Sequence, residues 1–174
     1  MIHFLAIIFL VLPTEQSELL NEARKLYFRL DQPGCVSEEL FEILQQNTKK
    51  TAVLLAYEGA AEASSASCAV FPLSKLKRFN QGKNKIEQAI RQDSLDAEIR
   101  FIRYSIQSRA PAFLGYTDAV EKDLAYLMHV LSRDKTLFDN ALLRKNILSF
   151  LIQSSQITAR QIALLQEMLN AETE

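Results

Sequence analysis

Arg100, Arg103 and Gln107 stand at i, i+3 and i+7 of a stretch with helical periodicity, so they share one face, while Ile99, Ile102 and Ile106 share the neighbouring one. Two guanidinium groups one turn apart suit recognition of a carboxylate or a peptide terminus, because each can meet a carboxylate through parallel hydrogen bonds. The same spacing also serves an internal purpose, stitching down the loop that follows or pairing with Asp96 or Glu98. In that loop Phe113, Leu114, Gly115 and Tyr116 are apolar for a surface segment, so they either fold back onto the helices or await a partner. Gly115 permits a positive φ and Pro111 stiffens the entry, which gives the loop one shape. Asn80 and Lys83, one turn apart upstream, border the same surface. Together Asn80, Lys83, Arg100, Arg103, Gln107, Phe113 and Tyr116 form the candidate partner-binding set.

Groups able to do covalent chemistry are scarce. The histidines are His3 and His129, and no Glu-x-x-His or His-x-x-Glu spacing surrounds His129, so neither a metal nor a cofactor is expected. Ser64-Ser65-Ala66-Ser67 lacks the glycine-flanked turn that exposes a hydrolase serine, and glycine-rich phosphate loops are absent. Cys35 and Cys68 are too far apart in sequence for a paired-thiol motif. Cys68 lies among Ala and Ser in a helical stretch, where a buried free thiol is the expected state, with a bridge to Cys35 as the alternative in an exported chain.

The chain of 174 residues fits one domain, and 20 basic against 21 acidic residues leave no large field for DNA, RNA or an anionic membrane. Residues 1–12 are an apolar run that Pro13 breaks, shorter than the roughly 20 residues needed to cross a bilayer. They read as the core of a secretory signal occupying 1–17, with a single domain over 18–174. An N-terminal core helix in a cytoplasmic protein is the alternative. Export predicts a periplasmic or secreted protein with no stable membrane span.

Helical periodicity recurs throughout, and no stretch alternates as a strand would. The expected architecture is all-α, a stack of antiparallel helix pairs with about seven helices after the signal segment. Helices are predicted over 14–30, stopped by Pro33-Gly34; over 37–47, capped by Ser37; and from Thr48 or Thr51 through an Ala-rich segment over 52–69, rich in small side chains and therefore central, with Pro72 ending it or opening the next segment. Others are predicted over 74–92 from Ser74, over 97–108 from Asp96, from Asp118 in a capping box with Glu121, over 135–152, and from Thr158 in a capping box with Gln161.

Gly82, Ile86, Ala89, Ile90 and Ser94 resemble the second helix of a tetratricopeptide repeat, with Ser94 where that family usually has proline. The resemblance implies that Gly82 and Ala89 admit a partner helix closely while Ile86 and Ile90 fill the groove. It covers one helix and its turn, and no convincing second copy follows at a spacing of 34 residues, so a divergent stack rather than a regular array is implied. The wider stretch from Ser74 to Tyr116 is similar to uncharacterised exported bacterial helical proteins, which implies a location and a fold but no reaction. The resulting expectation is a non-enzymatic adaptor that binds a protein or peptide in a groove formed by helices 74–92 and 97–108. A structural scaffold in an envelope assembly is the alternative, and a small-molecule enzyme comes third.

Overall fold

The computed structural model describes residues 15–133, 138 and 140–172. The described residues form eight α-helices and no strand: α1 (Glu15–Tyr27), α2 (Val36–Gln45), α3 (Ala52–Ser64), α4 (Pro72–Gln92), α5 (Ala97–Arg109), α6 (Val120–Arg133), α7 (Ala141–Ile152) and α8 (Ala159–Asn170). The helices answer one for one to the eight stretches predicted individually, one more than the rounded expectation of about seven, and the terminal helix is begun by the predicted Thr158/Gln161 capping box. Residues 1–14, most of the expected signal, lie outside the described residues. Glu15, Gln16 and Ser17 form the first turn of α1, where Gln16 Nε2 donates to Lys49 O at 3.0 Å.

The helix starts follow local chemistry. Asp96 accepts from the amides of Glu98 and Ile99, and Thr51 and Asn140 do the same for Leu54 and Leu143. α4 starts at Pro72 rather than at Ser74, since proline suits a first turn where its missing N–H has no partner to lose. α2 starts at Val36, so Ser37 lies inside its first turn and Cys35 holds the cap position without a side-chain capping hydrogen bond. The start expected at Lys135 lies outside the described residues, and α7 opens at Asn140. At the head of α6 it is Gln107 Oε1, from α5, that accepts the Ala119 amide at 3.2 Å, and Asp118 lies in the preceding turn.

Two expected helices stop early. α1 ends at Tyr27, with turns through residue 32, and α3 ends at Ser64 and tightens into a 3-10 turn over Ser65–Cys68. The serines explain the second case: Ser65 and Ser67 hydroxyls bond back to the carbonyls of Glu62 and Ser64, each at 2.8 Å, competing with continued α-helix. That turn brings Cys68 to Cys35, with Cα atoms 6.1 Å apart, and the two are joined in a disulfide rather than left as thiols. A bridge across 33 residues removes enough freedom from the unfolded chain to stabilise the fold by up to about 4 kcal/mol.

α3 is the hub, in contact with α1, α2, α4 and α5, while α6 packs on α5 and α8 on α7. Its closest neighbour is α4, and the reason is glycine. A Cβ added to Gly59 would lie 2.7 Å from Gly82 O, and one added to Gly82 would lie 2.7 Å from Ala63 Cβ, so neither position has room for one. Ile86 and Ala89 are fully buried beside this crossing and Ile90 packs against the core. An aromatic series, Tyr57 against Tyr27, Phe28 stacked on Phe101 and Phe101 edge-on to Phe150, ties α3, α1, α5 and α7 together.

Candidate functional site

α5 carries most of the polar groups that the sequence nominates, and its two sides use them differently. On the side facing α6, Arg103 grips Asp123 in a fork, Nε to Oδ2 at 2.7 Å and Nη2 to Oδ1 at 2.9 Å, while Arg100 Nη1 reaches Oδ1 at 2.9 Å. Asp123 is fully buried and both arginines are 8% exposed, so the cluster is closed to solvent. Further donors are engaged as well: Arg100 Nε on Ser94 O and Arg103 Nη1 on Glu87. Arg100 further lies over the Tyr126 ring at 4.3 Å. Burial pulls the Arg103 pKa down, but the hydrogen bond and charge of Asp123 more than offset it, and the group is held above its ordinary value.

Tyr116 and Lys83 extend this closed cluster. Tyr116 is 2% exposed, donates its hydroxyl to Glu87 at 2.7 Å and packs edge-on to Phe79, with Lys83 Nζ 4.8 Å from its ring centre. Burial, and then the bond to Glu87, raise its pKa. Gln107 is buried with its carbonyl on Ala119. Asp96 and Glu98, the partners considered for the arginines, are otherwise occupied. Asp96 caps α5, and Glu98 takes both Arg24 Nε at 2.8 Å and Nη2 at 2.6 Å, plus the Tyr57 hydroxyl at 2.6 Å. Glu98 is the main reason the Arg24 pKa is raised, and burial sends that of Tyr57 well up.

Asn80 and Phe113 go elsewhere. They line a cleft of about 1150 Å³ built from the end of α1, the first turns of α4, the last turn of α5 with the loop after it, and α7. That volume exceeds the roughly 300–1,000 Å³ usual for small-molecule pockets. The floor is apolar, with Phe28, Phe79, Ile106 and Phe150 among the walls. At the mouth Leu73, in the first turn of α4, is 82% exposed and Phe113, on the loop that ends at Gly115 with φ +57°, is 85% exposed. Tyr27 closes the inner end. Its hydroxyl is bonded to Ser105, and burial pushes its pKa up to about 12.

The polar groups of the cleft contrast with the closed cluster. The carboxamides of Asn80, Asn146 and Gln153 line it and have no intramolecular hydrogen bond among the described residues. Arg109 Nη1 meets both carboxylate oxygens of Asp31 at 2.8 Å, with its guanidinium 4.4 Å from the Phe150 ring centre, and both members of that pair are largely exposed. The sequence nominated Asn80 and Phe113 but not Phe28, Asn146, Phe150 or Gln153, which come from α1 and from α7 and its end. Among the described residues no three His, Cys, Asp or Glu side chains converge as metal ligands, and His129 is exposed on α6. No family model matches the chain, and no curated protein or solved structure matches it.

Proposed function

We propose that this protein is a non-catalytic adaptor that holds a peptide segment of a protein partner in the cleft between α1, α4, α5 and α7. One observation carries the reading: three carboxamides with no partner among the described residues line an apolar cleft whose mouth exposes Leu73 and Phe113. A carboxamide both donates and accepts, which matches the alternating N–H and C=O of a peptide backbone, while apolar walls take side chains. The volume supports a segment of chain over a small metabolite. Relative to the expected groove, helices 74–92 and 97–108 still contribute, through the start of one and the end of the other. The arginine stripe is committed to Asp123.

The proposal extends to architecture and location. We read the stack as antiparallel and tetratricopeptide-like, supported by the glycine crossing of α3 with α4 and by Ile86 and Ala89 beside it. We read the location as periplasmic or secreted after export, supported by the apolar run at 1–12 and by the Cys35–Cys68 bridge, since disulfides persist in oxidising compartments.

The test is selection of a phage-displayed library of random 12-residue peptides on the oxidised protein, followed by titration of an enriched peptide against variants. Asn80→Ala with Asn146→Ala, and separately Phe113→Ser, should each weaken binding at least about tenfold, as loss of a hydrogen-bonded pair or an apolar anchor does. No enrichment over an unrelated helical protein, or enriched peptides indifferent to both sets of changes, would reject the reading.

A further inference from the structure

The cleft does not account for all the apolar surface at its mouth. Val70 is 82% and Phe71 70% exposed, and neither lines the cleft, yet they directly precede Pro72 and Leu73, which do. An isolated exposed apolar residue calls for no explanation, but a tip of Val70, Phe71 and Leu73, beside half-exposed Leu76 and with Phe113 across the mouth, is a patch of the kind that meets another phase. Rigid geometry supports the tip from both sides. The bridge at Cys68 fixes its N-terminal end, and α4 starts at Pro72 on the other.

The charges carried by residues 69–77 themselves are of one sign. Lys75 and Lys77 have no ion-pair partner among the described residues, and residues 69–77 contain no acidic side chain. Arg78, the next charged residue in sequence, is neutralised by Glu38 at 2.6 Å, and Arg109, which lines the cleft, by Asp31 at 2.8 Å. The patch is thus apolar at its apex and cationic at its flank although the whole chain is nearly neutral. A protein surface offering many buried partners would leave the two lysines costly to desolvate, whereas at a bilayer they sit among anionic headgroups while the apex enters the acyl boundary.

We propose that residues 69–77 form an interfacial anchor that docks the protein on an anionic lipid surface, with Val70, Phe71 and Leu73 inserted and Lys75 and Lys77 on the headgroups. No described helix is long and apolar enough to span a membrane, so this contact is peripheral. It shares Leu73 and Lys75 with the lining of the cleft, while its apex residues Val70 and Phe71 stand outside it.

The chain contains no tryptophan, so Phe71→Trp supplies a single reporter at the apex. The full oxidised chain carrying it is titrated with phosphatidylglycerol vesicles and, in parallel, with phosphatidylcholine vesicles, after far-UV circular dichroism has verified its helix content. The expected result is a blue shift with the anionic vesicles that brominated acyl chains quench, little shift with the neutral ones, and at least about tenfold weaker response when Lys75→Glu and Lys77→Glu are added. Emission that stays at the water-exposed wavelength with anionic vesicles would overturn the proposal, even if an apolar N-terminus carries the chain to the vesicle. An equal shift on both lipids that ignores the lysine changes would overturn it as well. Val70→Ser with Phe71→Ser should leave binding of a selected peptide unchanged, which separates failure here from failure of the cleft.

Discussion

α5 holds Arg100 and Arg103 against Asp123 on one side and offers Arg109 to the cleft at its end, and the three residues differ only in what surrounds them. The first two are buried, forked or stacked, and bonded to acceptors from α6, Glu87 and the Ser94 carbonyl. The third is paired with an exposed aspartate over an aromatic ring. Carboxamides divide in the same way: Gln107 caps the head of α6, whereas Asn80 and Asn146 face the cleft with no hydrogen-bond partner among the described residues. Availability for a partner depends on whether the fold has already consumed a side chain's hydrogen bonds, and residue type carries no record of that.

If the closed side is structural, removing its centre costs the most. Asp123→Ala removes the carboxylate that two buried guanidinium groups share, leaving Arg103 with Glu87 alone, and should destabilise by about 3 kcal/mol or more, seen as a lowered urea midpoint with an unchanged slope. Asp123→Asn retains the shape without the charge and should fall between. An Asp123→Ala protein as stable as the parent would break the comparison.

The next largest effect is on pH dependence. Tyr27 has its folded pKa raised from 10.0 to about 12 by burial, so the stability it contributes is complete below about pH 10 and is lost as pH rises toward 12. At roughly 1.4 kcal/mol per pH unit this amounts to about 3 kcal/mol. Urea melts at pH 8, 10 and 11 should show the decline, and Tyr27→Phe should make it shallower. Because the residue floors the cleft, a shallow profile in the parent would mean that the cleft's inner end is wet.

Gly82→Ala probes the crossing that both sides depend on. The new methyl would meet Ala63 Cβ and the Gly59 backbone, and an overpacked contact of that kind costs about 1–3 kcal/mol. A thermal melt unchanged from the parent would mean the helices can separate freely. The smallest effect belongs to the open side. Phe113→Ser should change stability by no more than about 0.5 kcal/mol, as expected for an 85% exposed side chain, while impairing peptide capture. A larger loss of stability would assign Phe113 to the core.

Much of the helical frame is legible from local signals. The Asp96 cap, the Thr158/Gln161 box and the small residues at Gly82 and Ala89 each act within a turn or across one helix face, so sequence spacing carries them. The arginine partner was a different matter. Asp96 and Glu98 were near in sequence, but Asp123 lies 20 residues from Arg103 on another helix. Its signal was present: Asp123 falls on the face marked by Val120, Leu124, Leu127 and Leu131, and a lone carboxylate on a buried stripe demands a cation. Pairing of Cys35 with Cys68 depended on where α3 gives way to a 3-10 turn, a choice made by serine hydroxyls that helix periodicity does not register. The cleft draws on α1 and α7, which are remote in sequence from α4 and α5, and no spacing joins them.

The most direct test maps where a partner lands. A selected peptide titrated into the isotopically labelled, oxidised protein should move the backbone amide resonances of residues 73–80, 105–114 and 146–153 in two-dimensional NMR, leaving Glu87, Arg100, Arg103 and Asp123 in place. Shifts concentrated on Glu87, Arg100, Arg103 and Asp123, with the cleft residues still, would contradict the account.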